Sequence, residues 1–183
     1  MKRIIKTVTE EYKAATAAFV EKVFADTPGG EEEGRLVRGL VEEIRAKKYY
    51  LPALELMMVN EHDEIIGYAM FSRFHIEGRY EDELLLLTPV AVKTELQRQH
   101  ISKDLLEYGL NKAKELGYKA VMVEGNPRNY NPRGFKTAAD YGVLPGKTVH
   151  LPRIECLMIR ELAPGALEHI HGTVEYSFYE TLV

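Results

Sequence analysis

The chain is expected to fold as an α/β protein, with a single mixed, mostly antiparallel twisted sheet and helices on both faces. Three observations predict this. Leu54–Val59 and Ile65–Phe71 are strand-like apolar runs flanking the polar turn Asn60–Glu64, which makes an antiparallel hairpin. Leu84–Val92 is a continuous apolar run of the kind found in strands buried on both faces. It is followed by a polar turn, an amphipathic segment and a further strand-like run at Lys119–Glu124, so strands and helices interleave as in one mixed sheet with helices on both faces.

The remaining elements follow from local pattern. Residues 3–8 read as a first strand. Glu10 to Phe24 reads as a helix with Ala14, Ala17, Ala18, Val20 and Val23 as its apolar stripe. Thr27-Pro-Gly-Gly30 breaks the chain. A second helix is expected from Glu31 to Lys47, with Leu36, Leu40, Val41 and Ile44 on one face. Its start is acidic and its end basic, matching the helix dipole. Ile101 to Leu116 reads as a helix with Leu105, Leu106, Leu110, Ala113 and Leu116 inward, stopped by Gly117. Gly125 to Gly134 is turn-rich with room for one short helix. Ile154–Ile159 and Tyr176–Phe178 are the last expected strands. No repeat, low-complexity tract or linker interrupts the chain, so its 183 residues are expected to form one domain.

Composition narrows the function. Hydrophobic residues make up 45% and charged residues 28%, ordinary for a soluble globular protein. The net charge of −4 argues against bulk nucleic-acid binding, which needs a basic footprint. No apolar run approaches the ~20 residues of a membrane helix. The N-terminus lacks the apolar core of a secretory signal, so a cytoplasmic location is expected. The single cysteine, Cys156, excludes an intramolecular disulfide, and its apolar neighbours Leu157, Met158 and Ile159 predict a buried structural thiol. His169 and His171 could share a strand face, but no third ligand is near, so surface histidines and no metal site are expected.

Between Val92 and Ile101 a strand passes through a short turn into a helix N-terminus. Unpaired backbone N–H groups and the helix dipole make such a place receptive to anions. The element order, the run Leu87-Thr-Pro-Val-Ala-Val92, the turn Gln97-Arg-Gln-His-Ile-Ser-Lys103, and Arg133-Gly-Phe135 together resemble the GNAT superfamily of N-acetyltransferases, and the tail Arg160-Glu-Leu-Ala-Pro-Gly-Ala-Leu167 with Gly172-Thr-Val-Glu-Tyr176 resembles a bacterial branch of it. The likeness covers nearly the whole chain and is firmest from Leu84 to Val143. It implies the acyl-CoA N-acyltransferase fold, with acetyl-CoA as co-substrate held where the strands ending near Val92 and Val123 diverge. It also implies that Val90, Ala91 and Val92 lend backbone groups to the pantetheine arm. The family's pyrophosphate motif, Gln/Arg-x-x-Gly-x-Gly/Ala, falls on Gln97, His100 and Ser102. Both glycines, which let phosphate oxygens reach backbone N–H groups, are absent here. Arg98, Gln99, His100, Ile101, Ser102 and Lys103 are the implied phosphate binders, and Asn126 matches a polar position near pantetheine or substrate.

Acetyl transfer to an amine requires the amine to lose its charge, the thioester oxygen to be polarised, and the leaving thiolate to gain a proton. Tyr130 matches the family's tyrosine on a short helix before its Gly-Phe pair and is the candidate acid; ring packing over the loop is the alternative. Pro132 is expected to shorten that helix. For the base, Glu124 at a strand end and Glu55 on a strand are both open, with Thr88 where some members carry a glutamate; an acceptor arriving neutral, with no dedicated base and both carboxylates simply solvated, is the alternative. The resemblance implies that Phe24, Phe74 and His75 lie on the acceptor rim, while Tyr49 and Tyr50 either line the acceptor side or pack in the core. The expected activity is transfer of an acetyl group to the amine of a small molecule, less so of a protein, by a chain that a homodimer would suit. An alternative is a catalytically degenerate acyl-CoA-binding sensor or interaction module.

Overall fold

A computed structural model describes residues 1–182. The strands are β1 (Ile4–Thr7), β2 (Glu55–Val59), β3 (Ile65–Arg73), β4 (Leu84–Val92), β5 (Ala120–Glu124), β6 (Lys136–Thr137), β7 (Val143–Pro145), β8 (Leu157–Glu161) and β9 (Gly172–Val174). The helices are α1 (Lys13–Ala25), α2 (Gly30–Ala46), α3 (Ile101–Glu115) and α4 (Pro127–Tyr130). Seven strands form one sheet in the order β1-β2-β3-β4-β5-β8-β6, and β7 and β9 form a small parallel pair. The large sheet is antiparallel at β1–β2, β2–β3, β5–β8 and β6–β8, and parallel at β4–β5. This is the mixed, mostly antiparallel sheet that the hairpin and the continuous apolar run predict.

The chain divides into two compact units. One comprises Met1–Phe71 with Pro89–Gly109, the other Ser72–Thr88 with Leu110–Val183. In the first, every residue of β2 is buried, and Ile66, Tyr68, Ala69, Met70 and Phe71 of β3 are fully enclosed. Helix α3 begins tightly over β3. A Cβ on Gly67 would stand 2.7 Å from Ile101 Cγ2 and 2.8 Å from Leu105 Cδ1, so only glycine lets the helix approach. In the second unit, Leu84–Leu87 of β4 and Ala120–Val123 of β5 are buried, as a parallel pair covered on both faces requires. Their ladder runs only from Leu84↔Ala120 to Leu86↔Met122, and it stops there while β5 continues against β8 to Glu124↔Leu157.

Several elements depart from the sequence expectations. The first helix is preceded by a 3-10 turn at Glu10–Tyr12, and it buries Thr16, Ala17, Val20 and Val23 while Ala14 and Ala18 face solvent. Leu36 and Leu116 are about half exposed, at 52% and 49%, so neither belongs to the core of its helix. Tyr176–Phe178 is not a strand; the terminal strand lies earlier, at Gly172–Val174, paired with β7. The buried thiol of Cys156 is as predicted.

Candidate active site

The turn before α3 belongs to the first unit. Gln97, Arg98, Gln99 and His100 are exposed, whereas Ile101 is 1% exposed and anchors the helix start. Arg98 and His100 both take left-handed backbone, with φ of +64° and +66°. Side-chain-bearing residues adopt that region at a cost, and such strain concentrates where a backbone shape has a task. His100 is where the motif has its first glycine: the glycine letter is gone, but the glycine-type backbone is present. The His100 carbonyl accepts the Asp104 N–H at 3.0 Å and so opens the helix. Arg3 Nη1 donates to the Gln99 carbonyl at 2.7 Å, tying the turn to the chain start. In β4, Val90 and Val92 are half-buried on one face and Ala91 is buried on the other.

The other candidates gather in the second unit, at the C-terminal end of β5. Gly125 follows Glu124, and the Tyr130 ring lies on it. A Cβ on Gly125 would stand 2.4 Å from Tyr130 Cε2, so this contact demands glycine. Phe135 supports the ring edge-on at 5.5 Å, and the Arg133 guanidinium lies 5.9 Å from its centre. Arg160 Nη1 donates to the Arg133 carbonyl at 2.7 Å, fixing the turn behind it. Burial pushes the Tyr130 phenol up, so it holds its proton through neutral pH. No described residue hydrogen-bonds its hydroxyl. Asn126 caps the short helix: its Oδ1 accepts the Arg128 N–H at 3.0 Å, with Pro127 at the first helical position. Pro132 falls in a 3-10 turn at Asn131–Arg133, and α4 is indeed cut to four residues.

Glu124, Gly125, Asn126 and Pro127 line a cleft of about 420 Å³ together with Pro152, Arg153 and Cys156. Tyr176 donates its hydroxyl to Glu124 Oε2 at 3.0 Å. Partial burial raises the Glu124 carboxyl above its ordinary range, against the opposing pull of the Tyr176 hydrogen bond and nearby His150. Pro152, Arg153, Cys156 and Tyr176 were not legible as site residues. They lie 28 to 52 positions from Glu124 in the chain, and no local pattern marks them.

Glu55, the other base considered, is 0% exposed and fully committed. It accepts from Arg45 Nε at 2.7 Å, from Tyr68 at 2.7 Å and from Tyr50. It is a structural carboxylate, and Tyr50 is part of the same network. Phe74 is wholly buried, which removes it from any acceptor rim. His169 pairs with Glu83 at 2.8 Å, and no cluster of three or more metal-ligating side chains exists among the described residues. No helix among them is long and apolar enough to cross a membrane.

Comparison with known proteins identifies the family. The family model for the Acetyltransferase (GNAT) family matches residues 10–135. The uncharacterized N-acetyltransferase YhbS of Escherichia coli is 30% identical over 139 residues, 75% of this chain and 78% of that protein. YjhQ, an uncharacterized N-acetyltransferase of the same species, is 28% identical over 124 residues, covering 67% of this chain and 66% of its own. Among solved structures, Escherichia coli YhbS in complex with CoA superposes with a TM-score of 0.82 at 24% identity, over 98% of this chain and 91% of that one. A GNAT acetyltransferase from Brucella melitensis in complex with acetyl-CoA gives 0.75 at 20% identity, over 100% and 99%. The family model over residues 10–135 and the match to YhbS show it: the chain belongs to the GNAT family and is an acyltransferase.

Proposed function

We propose that this chain is an acetyl-CoA-dependent N-acetyltransferase acting on the amine of a small molecule. The observation that carries the reading is the seating of Tyr130 on Gly125 beside Glu124, an acid and a base candidate at one strand end. The CoA and acetyl-CoA complexes of its structural relatives support the co-substrate. On this reading the backbone N–H groups of Gln97–Lys103 hold the pyrophosphate of acetyl-CoA. The exposed Arg98, His100 and Lys103 side chains add donors, and the polypeptide edge at Val90, Ala91 and Val92 takes the pantetheine amides. Asn126 Nδ2 remains to donate to pantetheine or acceptor, since its Oδ1 is spent on the cap.

The reaction follows from the acid and base. Glu124 takes a proton from the acceptor ammonium. The neutral nitrogen attacks the thioester carbonyl carbon, forming the C–N bond. The C–S bond breaks, and Tyr130 gives its proton to the departing sulfur, leaving amide and free CoA thiol. The amine's second proton passes to solvent as the amide forms, protonated Glu124 gives its proton to solvent, and solvent reprotonates the phenolate.

The whole chain is read as one catalytic unit working in the cytoplasm, without nucleic acid or membrane; a homodimer is compatible with it. The test is thiol release from acetyl-CoA across a panel of small amines and peptide N-termini. Turnover with a small amine is expected, and its absence from every amine with intact cofactor binding would overturn the reading. The departure of His100 and Ser102 from both motif glycines supports a second reading, a catalytically degenerate acyl-CoA-binding sensor or interaction module. That same absence of turnover would establish it.

A further inference from the structure

We propose that Tyr176, delivered by the C-terminal segment, is a positioning residue for the Glu124 carboxylate. The inference rests on the reading of Glu124 as the base. Three tethers fix the segment that carries Tyr176. Strand β9 pairs with β7 from Val143↔Gly172 to Pro145↔Val174. Next, the Glu175 carboxylate accepts the backbone N–H groups of Lys147 at 3.0 Å and Thr148 at 2.9 Å, along with the Thr148 hydroxyl. Finally, the Tyr176 N–H donates to Thr148 Oγ1 at 2.7 Å, and its ring packs edge-on against Phe74 at 6.1 Å. A phenol that is 4% exposed thus reaches a carboxylate on the cleft.

The bond is one-sided in a useful way. Tyr176 holds Oε2 of Glu124. No described residue hydrogen-bonds Oε1, which stays available to a proton of an incoming ammonium. A carboxylate at a strand end would otherwise rotate among several rotamers, and fixing one oxygen lowers the cost of presenting the other. His150 comes from the loop after β7, Arg153 and Cys156 from the stretch before β8, and Tyr176 from the terminal segment. Of these, Tyr176 makes the direct bond.

The experiment compares the full-length wild type, Tyr176→Phe, Glu124→Gln and the double variant. Tyr176→Phe keeps the ring against Phe74 and removes only the hydroxyl. The first readout needs no acceptor: the Glu124 carboxyl is titrated by carbon-13 NMR. Loss of the donor should move its midpoint up by about half to one pH unit. The second readout is thiol release with the best amine of the panel. Tyr176→Phe should lower kcat/KM several-fold at neutral pH, move the acid limb upward by the same interval and leave KM for acetyl-CoA unchanged. In the Glu124→Gln background the same change should have no further effect. An unmoved titration midpoint and acid limb in Tyr176→Phe, with Glu124→Gln still inactive, would overturn the positioning role alone. Full activity of Glu124→Gln at all pH values would instead remove the base, and the proposal with it.

Discussion

Tyr130 has the attributes a thiolate-protonating acid needs: a raised pKa, a hydroxyl that no described residue hydrogen-bonds, and a ring held in place by Gly125 and Phe135. Tyr130→Phe is therefore expected to cut kcat by ~10²–10⁴ with little change in KM for acetyl-CoA, as thiol-release kinetics would show. If activity survived at all pH values, the acid role would fail. Gly125→Ala makes a separate prediction. Its methyl would occupy the place of the Tyr130 ring, so turnover should fall while cofactor affinity, read by calorimetry, stays near wild type. The pH profile follows from the two directions of shift. Glu124 is raised, so kcat/KM should climb with pH above the ordinary carboxylate range, as the base loses its proton. Tyr130 is also raised, so the alkaline fall should come only above the ordinary tyrosine range, leaving a plateau through neutral pH. A maximum on the acid side of Glu124's titration would contradict this assignment.

At the scale of elements, the turn before α3 shows what sequence can and cannot carry. The motif letters at His100 and Ser102 differ from the family's, yet the φ of His100 is the one that glycine would adopt. Letters report side chains; the shape of this turn is set by the exit from β4 and by Ile101 locking under α3 against Gly67. His100→Gly should therefore stabilise the protein by about 0.5–1 kcal/mol in denaturant unfolding, by relieving left-handed strain. It should leave acetyl-CoA affinity unchanged or tighter; a large loss would show that the imidazole itself contacts phosphate. The strands at Leu84–Val92 and Ala120–Glu124 were legible because a buried parallel pair demands unbroken apolar runs. Strand β9 was misplaced because Tyr176 and Phe178 look strand-like, whereas their rings serve an aromatic cluster with Phe74 and His75. Tyr176 could not be found from sequence, since its role exists only after two distant segments meet through Glu175 and Thr148.

At the scale of the whole molecule, the two units hold different resources. The first carries a buried ionic network in which Glu55 binds Arg45, Tyr68 and Tyr50, while Arg45 Nη2 also donates to Thr16 at 2.7 Å and Nη1 to the Lys13 carbonyl at 2.9 Å. It ties α1 and α2 to β2 and β3. Arg45→Met would strand the Glu55 carboxylate in the interior and should cost ~3–5 kcal/mol in chemical denaturation. This network serves folding, so turnover per folded molecule should hardly change; loss of activity without loss of stability would give it a role in catalysis. The central claim is that the chain binds acetyl-CoA and uses it. Calorimetric titration of the full-length protein with acetyl-CoA and with CoA tests the binding most directly. One-to-one binding of both is expected, weakened when Ser102 is replaced by a bulky or acidic residue at the helix start. No measurable heat at millimolar cofactor would show that the chain does not bind acetyl-CoA.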